Sequence, residues 1–185
     1  GRTFRRVLAR NADLRAALAP PAATAEQYDL LRRYLDERHA EGGMADMSEL
    51  DYVAMVEDTT IATRVLEYRL PGDIETPGRL VAGALTDTLE DGLSMVYSFY
   101  DPAETVRGLG TFMVLDHIER ARTLGLPYVY LGHLVEGSPK MAYKHRFRPL
   151  EAVPYTHLTL PAPSAGMIHG RRGSAKPTVS IVMQL

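Results

Sequence analysis

Between Thr63 and Phe99 the apolar side chains fall on every second residue in the first and last of three successive runs. This alternation constrains the fold more than any other feature, because a period of two places one face of a strand on a core and the other on water. In Thr63–Leu70 the apolar members are Leu66, Tyr68 and Leu70; two Pro-Gly pairs within residues 71–78 then mark a loop. Leu80–Leu89 reads as a second strand. Glu90-Asp91-Gly92 supplies a tight turn, and Leu93, Met95, Tyr97 and Phe99 place a third strand with those four residues on one face. An Asp-Gly pair between apolar runs is a strong hairpin signal. The expectation is a three-stranded antiparallel meander.

Helical periods flank it. Thr24 opens a helix with Gln27 in capping-box spacing, and Tyr28, Leu31 and Leu35 form its apolar stripe to about His39. Ser48 with Asp51 starts a shorter helix to about Val56. Residues 1–18 read as a strand or short helix, and Ala19-Pro20-Pro21-Ala22 as a linker, since adjacent prolines withhold two N–H donors. After Asp101-Pro102 a polar loop leads to Arg107-Gly108-Leu109-Gly110-Thr111. A helix carrying Phe112, Leu115, Ile118 and Ala121 then runs to Leu124, with Gly125 as its C-terminal cap. Pro127–Gly132 reads as a strand buried on both faces, Ser138–Tyr143 as a last helix, and Phe147–Val153 as the beginning of a final strand. This order is that of an α/β chain with the acetyltransferase-like (GNAT) fold: a mixed, mostly antiparallel sheet flanked by helices.

The chain divides into a lead-in and linker (1–22), the α/β domain (23–153) and an irregular, disordered tail (154–185). Tyr155–Pro161 resembles a transposon-end sequencing adapter translated in frame, so residues from about 154 onward are expected to be read-through sequence, the alternative being a genuine mobile tail. The first residue is Gly1, followed at once by basic residues, which reads as a cut fragment. A length of 185 residues suits one domain with a real core. The net charge of −2 means that any nucleic-acid footprint must be local. The absence of cysteine excludes disulfides and thiolate metal sites. No apolar run is long enough to cross a membrane, so no membrane partner is expected and the location is expected to be cytoplasmic.

Four stretches could carry chemistry. Arg107–Thr111 places glycines at a helix start, where free N–H groups attract anions; the alternative is a tight strand-to-helix turn. Ser138–Arg148 holds Lys140, Lys144, His145, Arg146 and Arg148 without an acid, interleaved with Tyr143 and Phe147. Such a segment binds phosphates and stacks bases, or is simply a solvated charged face. Tyr97–Pro102 lies at a strand end, where α/β folds place ligands; alternatively Tyr97 and Phe99 are core and Asp101 a turn former. Arg38–Met47 contains paired glycines and reads as a structural turn, because His39 and Asp46 are too few for a metal site.

These same residues carry a resemblance. Tyr34–His39, Gly43–Met47, Asp91–Pro102, Leu109-Gly-Thr, Leu126–Gly132, Lys140–Lys144 and Arg146–Pro149 closely resemble the arginyl-tRNA–protein transferase family, nearest its bacterial leucyl-transferring branch. The resemblance runs from about residue 3 to 152. It implies an enzyme that moves an amino acid, leucine before arginine, from tRNA to the N-terminal Asp or Glu of a protein, marking it for degradation. The implied partners are aminoacyl-tRNA and the acceptor protein. No cofactor or metal is implied, the aminoacyl-tRNA being a co-substrate. The family's N-terminal cysteine cluster is missing here, and His133, Leu134 and Pro139 stand where the family has other residues, a departure that bears on amino-acid specificity.

Aminolysis of an ester needs alignment more than a strong base, since an α-amine of pKa about 7.7–8.0 is partly neutral at neutral pH. The expected roles follow. Tyr97 or Asp101 orients the acceptor amine. Lys140, Lys144, Arg146 and Arg107, with Tyr143 beside them, hold the tRNA end or the acceptor's acidic side chain. The backbone at Gly108 and Gly110 holds phosphate or the oxyanion, and Tyr130 and His133 line the aminoacyl pocket. The rival readings are an acyl-CoA-dependent N-acetyltransferase using the same Arg107–Thr111 loop, and an inactive fragment with weak tRNA binding.

Overall fold

In the computed structural model, which describes residues 1–38, 44–73, 76–135, 142–154 and 178–185, the expected meander is part of one seven-stranded sheet. The elements are α1 (Arg2–Arg10), β1 (Arg15–Ala19), α2 (Ala25–Arg38), α3 (Glu49–Glu57), β2 (Ala62–Arg69), β3 (Leu80–Thr88), β4 (Gly92–Tyr100), α4 (Leu109–Thr123), β5 (Tyr128–Val135), a 3-10 turn (Ala142–Arg146), β6 (Leu150–Pro154) and β7 (Thr178–Gln184). The strand order is β1-β2-β3-β4-β5-β7-β6. Only β4 and β5 run parallel; every other neighbouring pair is antiparallel.

The capping signals work as read. Thr24 and Gln27 bond reciprocally at 3.1 and 3.2 Å, and Ser48 and Asp51 form a complete capping box. Gly125 takes φ 70°, and the N–H groups of Gly125 and Leu126 close α4 on the carbonyls of Arg122 and Ala121.

Three boundaries differ from expectation. Residues 1–22 are part of the domain: α1 packs on α4, and β1 pairs with β2 along its whole length. The alternation in β1 was illegible because Ala16 and Ala17 carry too little apolar surface to show a face. The 3-10 turn occupies only the end of the segment expected as a last helix, of which 138–141 lie outside the described residues. In the expected tail, 155–177 lie outside the described residues, but Thr178–Gln184 form β7 between β5 and β6. Ile181, Val182 and Met183 of β7 are buried. Their run is apolar without alternation, as suits an inner strand.

The core has two parts. On one face α1 and α4 cover Leu66, Tyr68, Leu93 and Met95; on the other α2 and α3 cover Val65, Leu85, Tyr97 and Phe99. Leu93 and Met95 therefore do not share a face with Tyr97 and Phe99, as strict alternation had implied. The register shows why: Thr86 pairs with Met95 and Leu85 with Tyr97, so Val96 is an extra residue in a β-bulge. One inserted residue reverses every later side chain.

His117 of α4 is fully buried. Its Nδ1 lies 2.7 Å from the Met113 carbonyl, which can only accept, so Nδ1 bears the proton and Nε2 accepts from the Thr86 hydroxyl at 2.8 Å. Burial pushes its pKa down to about 4. Below the ordinary value of 6.5 the unfolded chain therefore takes up a proton that the folded chain refuses, and stability falls as pH drops from 6.5 towards 4. Urea midpoints should show this slope, up to about 1.4 kcal/mol per pH unit, reduced in His117→Gln.

Candidate active site

The parallel pair β4–β5 is joined only at Gly92–Ser94 against Tyr128–Tyr130; beyond that the strands part. Both strands bulge just past the last paired residue. In β4 the extra residue is Val96; in β5 it is Leu131, since Tyr130 pairs with Val182 and Gly132 with Ile181. Gly132 has φ 71°, a conformation that a side chain would strain. The pairing of the two strands ends where they bulge, which leaves a wedge in the sheet between β4 and β5.

The wedge is furnished from three directions. The 3-10 turn brings Lys144, whose Nζ donates to the Leu131 carbonyl at 2.7 Å. The bulge frees that carbonyl from the ladder, and the ammonium satisfies it. Burial pushes the Lys144 amine down to about 8, because low-dielectric surroundings penalise the charged form. The same turn brings Tyr143, whose phenol is pushed up by burial and then by Tyr100. From β4 come half-buried Tyr97, its phenol also pushed up by burial, and Tyr100. From α2 come Tyr34 and Arg38. The Tyr34 and Tyr100 rings lie 4.9 Å apart, and Arg38 donates to the Tyr100 hydroxyl with its guanidinium 5.6 Å from that ring's centre. Burial raises the Tyr34 phenol well above its usual range, with Tyr100, Tyr97 and Tyr143 adding to the effect. Four phenols thus share one low-dielectric patch beside a half-buried amine.

Of the residues expected at a site, Tyr97, Tyr143 and Lys144 meet here. Gly110 adjoins them: a Cβ on it would lie 3.5 Å from the Tyr100 ring, so α4 begins against that ring. Gly108, with φ 65°, is the N-cap. Arg146 is exposed on the same turn as Lys144. His133 pairs in β5 with Ser180, but its side chain lies outside the described residues, as does all of Lys140.

Three expected residues are engaged elsewhere. Asp101 is buried, pairs with Arg79 and accepts from the Ala103 N–H at 3.0 Å, so it works as the turn former of the alternative reading. Arg107 holds both oxygens of Asp13 at 2.8 and 2.9 Å, Glu104 at 2.9 Å and the Arg10 carbonyl at 2.9 Å. Glu104 also meets Arg79 at 2.6 Å, closing a chain of ion pairs Asp101–Arg79–Glu104–Arg107–Asp13. Arg107 is thereby a tie between α1 and the loop before α4. Tyr130 donates to Asp91 at 2.9 Å and packs on Gly92, at the closed end of the wedge. Burial and Asp91 push its phenol up to about 12.

Sequence reasoning assigned no role to Tyr34, Arg38 or Tyr100. The available signal was the i, i+4 pair Tyr34–Arg38 at the end of α2, which shares a helix face. A cavity of about 370 Å³ lies on the α4 face at the other end of the sheet, between Leu18, Leu66, Leu93 and Leu124. It lacks the wedge's cluster of phenols and amine.

The family model described as arginine-tRNA-protein transferase, C terminus, matches residues 26–154. The chain belongs to the arginine-tRNA-protein transferase family. Curated relatives include the aspartate/glutamate leucyltransferases of Parvibaculum lavamentivorans, 74% identical over 153 residues, and Nitrobacter hamburgensis, 62% identical over 151 residues. These alignments cover 83% and 80% of the chain but only 61% and 59% of the relatives, so the chain spans about 60% of their length. The match ends at the residue where the composition changes. The same fold occurs in an acetyltransferase from Streptococcus agalactiae, with a TM-score of 0.57 at 14% identity, covering 94% of this chain and 99% of that one. It also occurs in the acyl-CoA N-acyltransferase described as putative from Klebsiella pneumoniae, with a TM-score of 0.56 at 14% identity, covering 95% and 99%. This chain therefore has the GNAT fold, as the order of elements had indicated.

Proposed function

We propose that the chain is the transfer domain of an enzyme that moves leucine from tRNA to the N-terminal Asp or Glu of a protein. The observation that carries this reading is the wedge between β4 and β5, lined by four tyrosines, Arg38 and Lys144, in a member of this family. The names of the relatives favour leucine and acidic N-termini. The reaction takes place where charged tRNA is found, in the cytoplasm.

The residues suit an ester aminolysis. The acceptor's neutral α-amine attacks the carbonyl carbon, the C–N bond forms, the ester C–O bond breaks, and the ribose hydroxyl leaves with a proton. Tyr97 and Tyr143 remain neutral donors around the carbonyl, because burial holds their phenols above the usual range. Lys144 supplies a fixed positive charge beside them that stabilises the developing oxyanion. Arg38, held by Tyr100, faces the acidic side chain of the acceptor. Gly108 and Gly110 offer the first N–H groups of α4 to a phosphate. The chain incubated with labelled leucyl-tRNA and an Asp-started peptide should transfer label to the peptide, and arginyl-tRNA should serve less well. Acetylation of the peptide from acetyl-CoA, with no transfer from either tRNA, would replace this reading by the N-acetyltransferase one.

A further inference from the structure

Arg32, Arg69, Arg79, Arg107 and Arg120 each hold a carboxylate. Among the described arginines without an ion pair, Arg15, Arg33 and Arg122 stand singly on β1, α2 and α4, whereas one surface gathers several. Arg2, Arg5 and Arg6 of α1, and Arg146 and Arg148 at the end of the 3-10 turn, are all exposed, and none has an ion pair among the described residues.

The fold joins these two groups. Phe4 of α1 stacks on Phe147 with ring centres 5.1 Å apart and planes within 10°. Phe147 is buried and meets Tyr143 edge-on, the residue next to Lys144. The contact joins the segment that carries Arg2, Arg5 and Arg6 to the one that carries Arg146 and Arg148. Val7 and Asn11 hold α1 to the domain: Val7 packs into the core, and the Asn11 amide donates to the Arg107 carbonyl at 2.9 Å. At 100° per residue, Phe4, Val7 and Asn11 fall on one face and Arg2, Arg5 and Arg6 on the other. The helix has no acidic residue, so nothing on it neutralises the arginines.

We infer that the arginine face of α1 and the Arg146–Arg148 turn form one phosphate-binding track that receives the backbone of the tRNA next to its aminoacylated end. Guanidinium groups suit phosphate oxygens, and a run of unpaired cations suits a polyanion rather than a single anion. Its position beside the turn that carries Lys144 lets the strand end enter the wedge. The inference rests on the aminoacyl-tRNA reading and adds α1 to it.

The test compares tRNA binding by the full chain, by Arg2→Ala/Arg5→Ala/Arg6→Ala, and by the charge-matched Arg15→Ala/Arg33→Ala/Arg122→Ala, using a deacylated leucine tRNA across a salt series. All six positions are exposed, so both variants should keep the parent melting temperature. The α1 variant should bind roughly tenfold or more weakly, with a salt slope shallower by about two. The distant variant should stay close to the parent. Equal losses in the two variants, or no loss in the α1 variant while the parent binds, overturns this inference and leaves the transfer reading intact. A parent that binds no tRNA at low salt overturns both. Capture of the parent by phosphatidylglycerol vesicles with no competition from tRNA reassigns the face to a membrane surface and overturns the RNA assignment.

Discussion

Lys144→Met is expected to lower transfer activity about 10²–10³-fold, the range for removal of one preorganised charge or donor from a reacting centre. The fold should survive, because methionine fills the same space. The pH profile carries the sharper test. The acceptor amine must be neutral, so the rate rises through its pKa of about 7.7–8.0. Lys144 must be charged, and burial pushes it down to about 8, so the rate falls above that value. The parent should therefore show a narrow optimum near pH 8, and Lys144→Arg, where active, should lose the falling limb. A stability measurement gives an independent check. The folded chain releases this proton near pH 8 while the unfolded chain holds it to the ordinary value of 10.5. Stability should thus rise with pH across that interval. Lys144→Met should lack the rise and melt no lower than the parent at neutral pH. A variant with full activity and an unchanged profile would remove Lys144 from the chemistry.

Arg107→Ala should be mainly a stability variant, with a loss of about 2–3 kcal/mol and a melting temperature lower by roughly 5–10 °C. Its guanidinium joins Asp13, Glu104 and the Arg10 carbonyl in one fork; its loss leaves Asp13 unpaired and Glu104 with Arg79 alone, and loosens α1. The pairing holds the Asp13 carboxyl below its usual range, chiefly through the hydrogen bond from Arg107. Lysine cannot reproduce the planar fork, so Arg107→Lys should restore little. Activity per folded molecule should stay within a few fold of the parent. An unchanged melting temperature with lost tRNA binding would instead return Arg107 to the anion-binding role that its sequence context implies.

Arg107 illustrates what the chain makes legible and what it hides. Its neighbours Gly108 and Gly110 announce a helix start, and α4 begins there. The ion-pair partner Asp13 lies far away in sequence, and nothing local reveals it. The caps at Thr24 and Ser48 and the meander were readable because they depend on residues three or two apart. The reversal of faces within β4 was not, because a bulge at Val96 is a matter of pairing with β3, not of the strand's own pattern. Lys144 and Tyr143 stood out through composition. Tyr34, Arg38 and Tyr100 meet only when α2 lies across the sheet. β7 was missed because its slot is defined by β5 and β6, which its own short apolar run does not name.

The paired bulges at Val96 and Leu131 set the gap in the sheet by backbone geometry alone. Because the bulges are a matter of backbone pairing, lining side chains can be exchanged while that pairing stays. A scaffold of that kind keeps its mouth while its lining drifts, so chains only 14% identical can share one architecture.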